Sequence, residues 1–186
     1  MNAPQKTRPP LKPLDSALAD LLAQAHPLAE TEMVATFDAD GRVLAQDCTS
    51  ALHVPPLDNS SMDGYAVRCA DVATAGVVLP VSQRIAAGSA GEPLAPGSAA
   101  RIFTGAPVPA GADAVLMQED CEAIATAEGG VAVRINAVPQ LGQWIRRAGE
   151  DIARGTVVLA AGTRLSPAEL GLAASIGLHQ LQVARR

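Results

Sequence analysis

Apolar positions first recur at helical spacing between Ser16 and His26, where Leu18, Leu21, Leu22 and Ala25 fall on one face. Asp15 stands as the N-cap, and Pro27 stops the helix because it lacks a donor and its ring clashes with the preceding turn. Residues Met33–Cys48 fit two patterns, a hairpin turning at Asp40-Gly41 or a short helix carrying Val43, Leu44 and Asp47. From Val77 onward the apolar runs shorten to strand length. Val77–Val81, Ala100–Phe103, Ala114–Met117, Val131–Ile135 and Val157–Leu159 are expected strands, separated by Gly, Pro and Asp. Gly129-Gly130, between Ala123–Ala127 and Val131–Ile135, predicts a hairpin. A second helix is written after Ser166: an N-cap Ser, Pro167 at the first helical position and Glu169 completing a capping box. Leu170, Ala173, Ala174 and Ile176 form its inner face, and Gly177 supplies a left-handed ending. His179–Val183 then alternates as a strand does.

Helices near both ends of a β-rich middle predict a mixed α/β chain of the α+β type. Residues 1–13 are expected as a disordered arm. Residues 14–30 with 152–186 are expected as a discontinuous outer unit of helix and strand, and 31–151 as an inserted β domain.

Composition narrows the function. The 186 residues are 48% hydrophobic but only 2% aromatic, so the core must be Ala, Val, Leu and Ile. Without rings there is no platform for stacking single-stranded bases, and a net charge of −5 disfavours binding a phosphate backbone. Nucleic acid is an unexpected partner. No run approaches ~18 consecutive apolar residues, so no membrane span is expected. Cys48, Cys69 and Cys121 are odd in number, widely spaced and without a CxxC, the pattern of free thiols in a reducing cytosol. His26, His53 and His179 have no partner at metal-ligand spacing.

Four segments are too polar or glycine-rich to be plain connections. In Asp58-Asn59-Ser60-Ser61-Met62-Asp63-Gly64, five side chains can bond nearby backbone, more than one turn requires. In Arg101–Gly111 a strand ends at Thr104, which either caps the turn or donates to an anion, while Gly105 permits a close backbone approach. Gly142–Asp151 places Arg146-Arg147 beside Glu150-Asp151: surface ion pairs, or an Arg fork for phosphate with Asp151 on a metal. Gln118-Glu119-Asp120-Cys121 reads as a solvated acidic strand end. No GxSxG, HExxH, P-loop or GxGxxG occurs. The residues alone define a β-rich protein with a candidate anion site.

The run Asp58–Ala66 resembles the signature of the molybdopterin molybdenumtransferases, the family that includes the C-terminal region of gephyrin. Arg101–Pro109, then Gly142…Arg146…Gly149-Glu150-Asp151-Ile152, then Ala161-Gly162-Thr163 match in the same order, and the resemblance covers Leu14 to Val183. It implies insertion of molybdate into adenylylated molybdopterin with release of AMP, assisted by Mg²⁺, in a cytoplasmic homodimer that also meets the molybdopterin adenylyltransferase. It makes the outer unit a dimerisation domain and sets the active site between the β domain and a molybdopterin-binding domain of the other subunit. Carried over by position, Asp63, Thr104 and Asp151 are the implied catalytic residues, with Asp63 and Asp151 the implied metal ligands. Ser61, Gly105 and Arg147 are the implied substrate contacts. The molybdopterin-binding domain is expected beyond residue 186, and no insertion activity is expected of these residues alone. The alternatives are a non-catalytic dimerisation or scaffold module and a free-standing anion-binding β domain. Tyr65, Phe103 and Trp144, three of four rings, lie in the motifs and are expected to brace the motif loops against one another.

Overall fold

The computed structural model describes residues 11–26, 30–127 and 129–185. The first helix, α1, spans Leu14–Ala23. It begins and ends earlier than the periodicity indicates: Pro13 holds the N-cap position without a side-chain bond, and Asp15 sits inside the first turn. Pro27, the expected stop, lies outside the described residues, as does most of the expected arm. No residue of α1 is buried.

Strands from both ends of the chain and the second helix surround one core. Strand β1 (Thr31–Ala35) pairs antiparallel with the last strand, β12 (Gln180–Ala184), while β2 (Cys48–Thr49) pairs with β11 (Val157–Leu159). Helix α2 (Pro167–Ser175) carries the full capping box, with Ser166 and Glu169 bonded reciprocally. Leu44, Leu159, Leu165, Leu170, Ala173, Leu181 and Val183 form the shared core. These pairings correct the expected boundary at residue 31. Residues 31–50 pack with the C-terminal segment, not with the β domain, because β12 supplies the hydrogen-bonding edge for β1. Residues 33–48 also follow neither expected pattern. After β1 comes a 3₁₀ turn at Thr36–Asp38, and Val43 and Leu44 then bridge Arg164 and Val183.

The middle of the chain forms a six-stranded sheet. Its strands are β4 (Gly64–Val67), β5 (Val77–Ile85), β6 (Ala99–Ile102), β7 (Ala114–Met117), β8 (Cys121–Ala125) and β9 (Val131–Ile135), in the order β7-β4-β6-β5-β9-β8. Only β5 and β6 run parallel. The β8–β9 hairpin turns at Gly129, as its sequence predicts. Alternation sorts the sheet's residues onto two faces. Tyr65, Val67, Leu79, Leu116, Val133 and Ile135 pack on one, and Ala66, Ile85, Ala100, Ile102 and Val115 on the other. Apart from Tyr65 both clusters are aliphatic, as the shortage of rings requires. Two short strands complete the set: β3 (Asn59–Ser60) pairs antiparallel with β10 (Ile145–Arg146) beside the main sheet.

Candidate functional site

Three of the polar segments converge through the backbone. The β3–β10 pair sets Ser60 opposite Ile145 and Asn59 opposite Arg146, and Asn59 also bridges Pro107. The Ser60 amide donates to Ala106 O, and the Gly105 amide donates to Ser60 O at 2.8 Å. Segments 58–64, 101–107 and 142–151 thus meet around β3.

The excess of acceptors in Asp58–Asp63 is explained by this meeting, since the side chains fasten the run to different places. Ser60, buried, turns its hydroxyl back to Met62 O at 2.6 Å. Ser61 donates its hydroxyl to Trp144 O at 3.0 Å. Asp58 accepts from the Ala148 amide at 2.8 Å and the Arg147 guanidinium at 2.6 Å. Asp63 accepts both the amide and the hydroxyl of Thr104, each at 2.8 Å, on the same oxygen, Oδ1. Those Thr104 bonds, the backbone one first, hold the exposed Asp63 carboxyl below its ordinary range, so it is ionised near neutral pH. Its second oxygen makes no hydrogen bond within the described residues.

Of the residues singled out in the sequence, Asp63, Thr104 and Gly105 stand together. Gly105 is required by its left-handed φ of +80° and not by a close approach, since an added Cβ would meet nothing nearer than Ala87 Cβ at 3.9 Å. Arg147 and Asp151 are each engaged inside the chain: Arg147 with Asp58, and Asp151 with Arg146 at 2.6 Å. The Asp151 bond and charge are the main reasons the Arg146 pKa is raised. Asp63 and Asp151 share no partner, and among the described residues no group of three or more His, Cys, Asp or Glu is placed to hold a metal.

The rings are braced differently from the expectation. Arg101 lies 5.2 Å from the Tyr65 centroid and 4.5 Å from that of Phe103, so an arginine joins these two rings. Trp144 makes no ring contact of this kind. It is half-exposed with a φ of 53°, and its carbonyl receives Ser61. Asp58 and Arg101 were not singled out individually by sequence reasoning. Asp58 lay in the acceptor-rich run, and Arg101 stands two residues before Phe103, on the same side of a strand.

A β-rich α+β chain with a six-stranded sheet and three convergent polar loops around an oriented carboxylate defines the class. The chain matches the model of the MoeA N-terminal region (domain I and II) over residues 12–177, and it belongs to that family. It is 44% identical over 177 residues to "Molybdopterin molybdenumtransferase 2" of Mycobacterium tuberculosis, covering 91% of this chain and 41% of that protein. It is 39% identical over 174 residues to the molybdopterin molybdenumtransferase of Haemophilus influenzae, covering 93% and 42%. The crystal structure of the molybdopterin biosynthesis moeA protein from Pyrococcus horikoshii OT3 superposes with a TM-score of 0.82 at 35% identity, over 94% of this chain and 46% of that one. The chain therefore spans less than half the length of these relatives.

Proposed function

We propose that this chain forms the N-terminal part of a molybdopterin molybdenumtransferase. The reaction is insertion of molybdate into adenylylated molybdopterin with release of AMP. The single observation that carries the reading is the Asp63 carboxylate, ionised and oriented by two Thr104 bonds where three polar segments meet. Kinship to proteins of that printed name supports the substrates.

In this reading Asp63 and Thr104 face the reacting groups. Thr104 fixes one carboxylate oxygen and leaves the other for substrate or for Mg²⁺. The donor set fits Mg²⁺ in a limited way, because that ion accepts one or two carboxylates and completes its shell with water and phosphate oxygens. Asp63 would hold it, and the ion would neutralise phosphate and molybdate charge. Asp151 serves differently: it holds Arg146, and with Asp58 holding Arg147 it shapes the loop that closes the site's edge. Ser61 and Gly105 keep the backbone of that edge in place.

A homodimer is part of the proposal. Helix α1 exposes Leu14, Leu18, Leu21 and Leu22 and buries none of its residues. A helix of ten residues is marginal alone in water, so a second copy is the natural cover for that face. Contact with the molybdopterin adenylyltransferase and a cytoplasmic location complete it, the latter in keeping with three free cysteines. Among the described residues no helix is long and apolar enough to cross a membrane.

The test is a hybrid in which residues 12–177 replace the matching region of the Haemophilus influenzae relative. Molybdenum insertion by the folded hybrid is the expected result. A folded, dimeric hybrid that binds molybdopterin yet inserts no molybdenum would overturn the assignment.

A further inference from the structure

Strands β6 and β5 are parallel, and their register sets Arg101 directly beside Arg84. On the other side of β6, the register sets Arg101 beside Tyr65 of β4. Directly paired residues share a face of the sheet, so Tyr65, Arg101 and Arg84 form one row across three strands. Phe103 follows just beyond the end of β6, with both guanidinium carbons 4.5 Å from its centroid.

Two like charges at paired positions repel one another and call for compensation. Six arginines of the described residues have a carboxylate within ion-pair distance: Arg42, Arg68, Arg134, Arg146, Arg147 and Arg185. Arg84 and Arg101 have none, nor do Arg154 and Arg164, but only Arg84 and Arg101 stand at paired positions of neighbouring strands. Arg101 donates instead to neutral oxygens, Gly64 O at 2.8 Å and Gln118 Oε1 at 2.6 Å. The Arg84 guanidinium makes no hydrogen bond within the described residues, and the Phe103 ring positions it. Of the nearby carboxylates, Asp63 accepts from Thr104 through one oxygen and feels the Arg101 charge without forming an ion pair with it, and Glu119 accepts from Gln118. A planar fork with its donors unmatched, held against a ring, is pre-organised for a planar or tetrahedral oxyanion.

The row lines a cavity of about 390 Å³, within the size range of small-molecule sites. Two further polar side chains of its lining are already satisfied. Gln83 exchanges two bonds with the Glu92 backbone, and Ser82 donates to Ala99 O. The remainder of the wall is apolar, from Val81, Val131 and the Tyr65 ring. The Tyr65 hydroxyl has no partner within the described residues. A cavity this large is not filled by a free inorganic ion, and its apolar wall suits an organic body attached to the anion.

We propose that this groove is a binding site for a phosphate group carried on an organic molecule, with Arg84 and Arg101 on the phosphate and Tyr65, Val81 and Val131 against the organic part. The site lies on the sheet face beside Asp63, and it stands on the arginine pair and the cavity, independently of the reaction proposed above.

The test is titration of the full chain with phenyl phosphate, inorganic phosphate and phenol, following the Arg84 and Arg101 side-chain Nε–H resonances. Both phosphates are expected to shift the two signals, with phenyl phosphate binding about 10-fold more tightly than inorganic phosphate, a difference of about 1.4 kcal/mol. Phenol alone is expected to leave them unmoved. Arg84→Gln should weaken phenyl phosphate binding about 10-fold or more, and Arg84→Lys should not restore it. Arg154→Gln, at an exposed arginine elsewhere, should change nothing. Silence of both signals to both phosphates overturns the proposal. Equal losses in the Arg84 and Arg154 variants overturn it too, as would phenyl phosphate binding no tighter than inorganic phosphate.

Discussion

Thr104 donates its backbone amide and its hydroxyl to one oxygen of Asp63, each at 2.8 Å, and leaves the other oxygen without a hydrogen bond among the described residues. A side chain on an exposed loop is thereby fixed in direction and kept charged, at the cost of only one of its two oxygens. A plain turn would not need this, because Asp63 bonds neither its own neighbours nor the amide two residues on. It reaches across to the end of β6.

Removing the hydroxyl tests how the carboxylate is held. Thr104→Val keeps the shape and the amide bond but loses one donor, so the Asp63 pKa should rise toward the ordinary value of about 3.9. Thr104→Ser should leave it depressed. Because the folded pKa lies below the unfolded one, the bond's stabilisation is present above about pH 4 and is lost as pH falls through the folded value. Carboxyl-carbon NMR titration of Asp63 reads this directly. An unchanged titration in Thr104→Val would show that the hydroxyl bond does not hold the charge.

Gly64 is where the sequence suggests a turn and the structure has a strand. An added Cβ would sit 1.8 Å from Leu116 O in the neighbouring strand β7, so no side chain fits without moving the backbone. Gly64→Ala should cost about 3 kcal/mol, the upper range for overpacking, with faster amide exchange along β4 and β7. A loss under about 0.5 kcal/mol by urea denaturation would mean that the two strands separate easily.

Asp58 makes two kinds of bond whose worth differs. The Arg147 pair is solvent-exposed and should contribute under about 1 kcal/mol, whereas the Ala148 amide bond fixes the loop. Asp58→Ala is therefore expected to change global stability little while hydrogen exchange at Ala148 speeds up. Equal effects of Asp58→Ala and Arg147→Ala on that amide would assign the loop's order to the ion pair instead.

Helix α1 separates folding from assembly. Since it buries no residue within the chain, Leu18→Asp with Leu21→Asp should leave the fold of the remaining chain intact by circular dichroism. Light scattering should show a dimer becoming a monomer. A monomeric parent chain would remove the reason given for the exposed leucines.

What the sequence made legible follows from how local each signal was. Ser166, Pro167 and Glu169 act within one turn, and α2 starts where they say. Ala114–Met117, Val131–Ile135 and Val157–Leu159 are short runs dominated by apolar and β-branched residues, and their limits match the strands found. Residues 31–50 were misassigned because their partners, β11 and β12, lie more than a hundred residues away, and no local pattern encodes such pairing. The site shows the same division. The polar character of Asp58–Asp63 was evident, yet which acceptor fastens to which segment depends on β3 pairing with β10. For Asp151 the sequence left ion pairing and metal binding both open, and the turn closed by the Glu150 amide on Arg147 O brings its carboxylate back onto Arg146.

The account rests on Asp63 as the charged group at the reacting centre, and molybdenum insertion by the hybrid carrying Asp63→Asn is its most direct measurement. Asparagine keeps the size and an oxygen for Thr104, so folding should be unchanged. The predicted result is a loss of about 10²-fold or more in insertion rate, the range expected when a charged catalytic group is neutralised. Insertion at the rate of the unsubstituted hybrid would contradict the account.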